Sequence, residues 1–201
     1  TEASAIRSFD IAVLNGLLQS ADYARAMMRS LFTRHSNPEL DRLVELRLRR
    51  QQALYATERP LRLEVVLDEA VLRRVVGDPA LMAAQLALIL ERAERPNVTV
   101  LVLPFDAGFH RAHMGSFVVM EFPTGTGPDV VYIEGHAGES YLENRSDVER
   151  YRAILEDVIS RALSPAESRR MILRYRQEYQ GRAVGVSDGG SAENRAVGPA
   201  S

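Results

Sequence analysis

The stretch Val98–Phe122, VTVLVLPFDAGFHRAHMGSFVVMEF, most restricts how this chain can fold. Two strongly apolar runs flank a loop carrying two glycines, a proline, His110 and His113. Runs this apolar need covering on both sides, so helices from elsewhere in the chain must pack on them. The spacing predicts a strand over 98–103, a loop over 104–115 and a second strand near 116–122. The loop is the expected lid of a binding pocket, because binding groups concentrate on loops held by a rigid scaffold.

The remaining elements follow from periodicity and punctuation. Residues 2–14 alternate in helical fashion up to the stop signal Asn15-Gly16, and a helix resumes over 17–32. Asn37-Pro38 opens a helix to about Ala56. On that helix Leu40, Leu43, Val44, Leu54 and Tyr55 share an arc with Arg47 and Gln51. An arginine inside an apolar stripe needs a partner, because an unpaired buried charge is costly. One reading is an internal ion pair tying the helix to the sheet. The other sets Arg47 or Arg50 against a ligand carboxylate or phosphate.

Residues 61–67 read as a strand, and Asp68 and Asp78-Pro79 open helices to Val76 and Glu94. Strand, crossover and the 98–103 strand make a βαβ-like unit, expected to be parallel. Strands at 116–122 and 129–134 flank the flexible connection TGTGP. Ser146-x-x-Glu149 and Ser164-x-x-Glu167 read as capping boxes opening helices 147–163 and 165–180. The expected fold is α+β: a small four-stranded mixed sheet, a βαβ unit plus antiparallel hairpins, covered by helices. Helical segments are expected at both ends. Residues 1–180 form one sensory or interaction domain, and 181–201, rich in Gly, Ser and Ala, read as a disordered tail.

Composition narrows function by exclusion. With 201 residues and 46% hydrophobic content the chain can bury a core, and its formal net charge of −2 supplies no basic field for nucleic acid. With no cysteine there is no disulfide and no thiolate chemistry, which fits the cytoplasm. No apolar run approaches the roughly 18–20 residues that span a bilayer. His110, His113, Glu134 and His136 could supply metal ligands, but their spacing matches no metal motif, so no metal is assigned. Glu121, Glu134, His110 and His113 are the candidates for acid–base chemistry. Neither a nucleophile elbow nor a phosphate-binding glycine loop is present. No catalytic residue and no cofactor is assigned. Arg47, Arg50, Gln51, His110, Phe117, Tyr132 and Glu134 are the expected pocket lining.

Several motifs in fixed order carry a resemblance: Asn15–Ser20 (NGLLQS) with Tyr23-Ala24-Arg25-Ala26, Arg47-x-x-Arg50-Gln51, Val66–Gly77, Gln85-Leu86, Pro96–Phe105, and Gly108, His110, Gly115 and Phe117 in the loop. Val131–Glu134 and Ala162-Leu163-Ser164-Pro165-x-x-Ser168 complete the set. Over residues 2–179 the chain resembles the C-terminal domain of unknown function that follows an Xre-type helix-turn-helix in actinobacterial, antitoxin-like transcriptional regulators. Asn15 stands where that pattern has proline, an exchange expected to loosen one turn. The resemblance implies an effector-sensing or partner-binding domain of a DNA-binding regulator. The implied partner is a small-molecule effector or a small protein, and a homodimer is compatible with that role. DNA contact is expected through a helix-turn-helix upstream of Thr1, and the chain reads as a fragment without it. The alternative is a stand-alone, cofactor-independent cyclase or isomerase on the same scaffold, with Glu134 or His110 as its acid or base.

Overall fold

The structure is a computed structural model and describes residues 3–189. It is a mixed α+β fold with six strands rather than four. The strands are β1 Ala5–Asp10, β2 Arg62–Asp68, β3 Val98–Leu103, β4 Phe117–Glu121, β5 Val130–Gly135 and β6 Gly138–Leu142, in the spatial order β3-β2-β1-β4-β5-β6. The helices are α1 Ala21–Leu31, α2 Asn37–Gln51, α3 Glu69–Arg73, α4 Pro79–Arg92, α5 Arg145–Arg161 and α6 Pro165–Gly189.

The largest departure from expectation is β1. The segment expected as an N-terminal helix is a strand between β2, parallel to it, and β4, antiparallel to it. Its polar residues find partners only in three dimensions. Arg7 donates to Glu64 at 2.6 Å and to Glu156 at 2.8 Å, while the Ser8 and Asp10 side chains both accept from Asn15. The expected βαβ unit stands, with β2 and β3 parallel, and β4 pairs antiparallel with β5 across the 123–129 connection. β3 and β4 are not neighbours, however, because β2 and β1 lie between them. The two apolar runs of Val98–Phe122 are therefore joined across the sheet, not as a hairpin. β6 was not expected: GESYL is polar and largely exposed, so no hydrophobic alternation marks it.

Two cores fill the faces. On one, Leu63, Val65 and Leu67 of β2 and Val98, Val100 and Val102 of β3 pack with Tyr23 of α1, Val44 of α2, Leu86 and Ile89 of α4 and Ile172 of α6. On the other, Phe9, Val66, Leu101, Phe117, Val119 and Val131 pack with Val148, Leu155 and Val158 of α5. The outer edge of β3 is closed by the α5–α6 junction, where Leu163 N–H donates to Val102 O at 2.8 Å and Ser168 Oγ accepts from Val102 N–H at 2.9 Å. An edge satisfied in this way cannot template further strands.

Helix ends follow local chemistry with small shifts. α2 starts one residue after its cap, Ser36, which forms a capping box with Glu39. Ser164 and Glu167 form the expected box at α6. At α5 the cap is Asn144 rather than Ser146, and Glu149 pairs instead with Arg145. α6 continues to Gly189, past the point expected to begin an unstructured tail, and residues 190–201 lie outside the described residues.

Candidate functional site

The segment from Leu14 to Ser20 crosses from β1 to α1 without long regular structure, leaving a run of backbone carbonyls that must find donors. Side chains from two helices, α2 and α4, and from the segment itself supply them. Gln51 of α2 donates to Gly16 O at 2.7 Å and to Gln19 O at 2.8 Å. Gln85 of α4 donates to Leu18 O at 2.8 Å and accepts from Ser20 N–H at 2.7 Å. Gln19 donates to Leu14 O at 2.7 Å. Arg92 of α4 donates to Leu17 O and, at 2.8 Å, to Gln51 Oε1. Gln19, Gln51, Gln85 and Arg92 are all buried.

Arg47 joins this hub, donating to Gln19 Oε1 at 2.6 Å with its guanidinium against Gly16. No ion pair forms between Arg47 and a carboxylate of the sheet. Its partner is an amide, and it ties α2 to the 14–20 segment. Burial lowers the Arg47 pKa, with Glu134 opposing that shift and Arg50 adding to it. Those influences place Arg47, Arg50 and Glu134 near one another.

Glu134 belongs to the uncovered half of the sheet. α5 packs on one face of β4 and β5. Alternation sends Val118, Met120, Tyr132, Glu134, Glu139 and Tyr141 to the opposite face. There Val118, Met120 and Tyr132 are half-buried, and Glu134, Glu139 and Tyr141 are exposed. Tyr132 and Tyr141 contact with ring centroids 5.2 Å apart, and Tyr141 donates to Glu139 at 3.1 Å. Burial, then the carboxylates Glu134 and Glu139, push the Tyr132 hydroxyl up to about 12, so it stays a neutral donor.

The expected pocket lining is thus divided by the sheet. Arg47, Arg50, Gln51, Tyr132 and Glu134 gather on this side. Phe117 is buried on the α5 face, with Tyr151 at 5.0 Å and Phe9 at 6.4 Å between ring centroids. His110 stacks edge-on against Phe9 at 5.3 Å, also on the α5 face. The 104–115 loop, the expected lid, is tied to α3 and α5. Arg111 N–H donates to Asp157, Arg161 to Phe109 O, and Phe105 N–H to Glu69 at 2.9 Å. Glu121 meets Arg152 and Arg62 and is spent in ion pairs. Among the described residues no histidine, aspartate and glutamate group is arranged to hold a metal.

Asp10 escaped the sequence reading. It is 5% exposed at the end of β1 and accepts from Asn15 N–H at 3.0 Å. Burial pushes its carboxyl up to about 7, with the Asn15 and Ser8 hydrogen bonds opposing. The exchange of proline for Asn15 does not loosen the turn: Asn15 supplies the N–H to Asp10, which proline lacks, and its amide donates to Ser8 at 3.2 Å. Arg92 was not singled out, and Gln85 was noted only within the motif Gln85-Leu86, although the signal of both was present. They fall on the apolar stripe of α4 with Met82, Leu86 and Ile89, the same anomaly that singled out Arg47 and Gln51.

A family model described as a domain of unknown function (DUF5753) matches residues 1–174. The chain belongs to that family. No curated protein and no solved structure matches it. The geometry gives the motifs of this DUF5753 domain a physical meaning. The NGLLQS segment, the Arg47–Gln51 motif and Gln85 meet in one hydrogen-bonded hub, and the closing motif with Ser168 seals the edge of β3. Among the described residues no helix is long and apolar enough to cross a membrane.

Proposed function

We propose that this DUF5753 domain is the effector-sensing or partner-binding domain of an Xre-family transcriptional regulator, actinobacterial and cytoplasmic, that meets DNA through a separate helix-turn-helix domain. The uncovered face of β4–β6 beside Arg47 carries the proposal. A small molecule or small protein laid on Tyr132 and Tyr141 lies within reach of Arg47, which holds the 14–20 segment through Gln19. A switch needs a ligand with different affinities for two arrangements of such an element, and an irregular segment held by side-chain hydrogen bonds can have two. The formal net charge of −2 supports leaving DNA contact to another domain. A homodimer is compatible with this role, and no cofactor is required for it.

The test compares the native gene product with the 201-residue chain on DNA from its own promoter region, by fluorescence anisotropy at roughly physiological salt. The native product is expected to bind specifically and the 201-residue chain not to bind. Specific retention of DNA by the shorter chain would refute the proposal.

A second function, the cofactor-independent cyclase or isomerase, is favoured by Asp10 alone. A buried carboxyl that titrates near neutrality has the pKa a general acid or base needs. On this alternative Asp10 takes the role expected of Glu134 or His110, and activity vanishes in Asp10→Asn.

A further inference from the structure

We propose that the recess between α2 and α4 binds a small molecule through a carboxylate or phosphate group, held by Arg92 and Arg95. The recess is about 380 Å3 and is lined by Leu48, Gln51, Gln52, Tyr55 and Arg92. Arg92 is 7% exposed, yet among the described residues no carboxylate forms an ion pair with it. Its guanidinium has five N–H donors. One is given to Leu17 O and one to Gln51 Oε1, and Nε–H has no partner.

Arg95, one turn further on, does not itself line the recess but lies half-buried against Tyr55, which does. Its guanidinium lies 4.4 Å from the centroid of the Tyr55 ring, its Nε is buried without a partner, and it too forms no ion pair among the described residues. Contrast Arg7, which is half-buried and meets both Glu64 and Glu156. A buried cation without a counter-charge is costly, and the cost is recovered when an anion completes the pair. Guanidinium forks match carboxylate and phosphate oxygens, which take two parallel N–H donors each. Leu48 and the Tyr55 ring provide apolar wall for a compact carbon body, so the class that fits is a small organic acid or phosphate ester. Gln51 and Arg92 belong both to this recess and to the 14–20 hub, so the ligand would act directly on that hub. The site itself rests on the unpaired arginines and stands whether or not the domain serves a regulator.

The test titrates the 201-residue chain, labelled for observation of arginine Nε–Hε resonances, with sodium phosphate and with sodium acetate, against sodium chloride at equal ionic strength. A saturable shift of the Arg92 and Arg95 resonances with phosphate or acetate, absent with chloride, is expected. The stronger of the two anions identifies the headgroup. Arg92→Gln removes two donors from the hub, so the deciding variant is Arg95→Gln, whose guanidinium lies over the ring of Tyr55 and outside the hub. It should keep the native spectrum and bind about tenfold more weakly, the loss expected for one charge-assisted hydrogen bond. Shifts that match chloride, or an Arg95→Gln variant that binds as tightly as the parent, would overturn the proposal.

Discussion

The two halves of the sheet meet at β1 and follow opposite rules. In the parallel half, β2 is buried on both faces: Val65 and Leu67 face the helical layer and Val66 faces α5. In the antiparallel half, β4 and β5 carry α5 on one side, while Val118, Tyr132 and Tyr141 on the other remain partly or fully in solvent. Parallel strands joined by crossovers are sandwiched by necessity, whereas antiparallel strands can leave a face open. Stability therefore concentrates in one half, and the surface free to recognise something lies in the other.

This contrast can be broken most forcefully in the cores. Phe9 is 0% exposed, and Phe9→Ala should lower unfolding free energy by roughly 3–5 kcal/mol, measured by urea denaturation. A loss below about 1 kcal/mol would mean that β1 does not organise both halves.

Asp10 probes the seam next. Its carboxyl is neutral in the folded protein up to about 7 but ionises near 3.8 once unfolded. The unfolded chain therefore binds fewer protons between those values, and stability is full at low pH and falls as pH rises through that window. Asp10→Asn removes this dependence. Relative to the parent, it should gain up to about 4 kcal/mol at pH 8 compared with pH 4, read from denaturation at the two pH values. An unchanged pH slope would show that Asp10 ionises normally.

Gln51→Ala deprives Gly16 O, Gln19 O and Arg92 of a partner and should cost roughly 2–4 kcal/mol by the same method. Tyr141→Ser marks the other extreme. At 57% exposure it should change stability by less than about 0.5 kcal/mol while weakening effector or partner binding. A stability loss as large as that of Gln51→Ala would show that the open face is structural.

Much of the helical layer is legible in the chain because its cues are local. Asn37-Pro38 with Glu39 starts α2, Asp78-Pro79 starts α4, and Ser164-Pro165 with Glu167 starts α6. β2 and β3 are legible too, β3 as a continuous apolar run and β2 by the alternation of Leu61, Leu63, Val65 and Leu67. β1 is not. Arg7, Ser8 and Asp10 break its pattern, and the partners that make them tolerable are Glu64, Glu156 and Asn15. β6 is not legible either, because an exposed edge strand has no core face to imprint alternation on it.

At the site, the polar interruptions at Arg47 and Gln51 mark a half-buried and a buried side chain that both have a task. What they could not reveal is that the task is holding the carbonyls of the 14–20 segment, because donors and acceptors separated by 28 to 35 residues are matched only after packing. Of the residues expected to line one pocket, Tyr132 and Glu134 lie on the same side of the sheet as Arg47, and Phe117 and His110 lie on the α5 side. Alternation along one strand assigns each residue a side, but the side that becomes core depends on which helices arrive there. The sequence by itself determined the elements whose signals lie within a turn or two of backbone. Only the tertiary structure decided that the two apolar runs of Val98–Phe122 lie on opposite sides of β2 and β1, because strand order is set by long-range pairing and coverage, which no local pattern records.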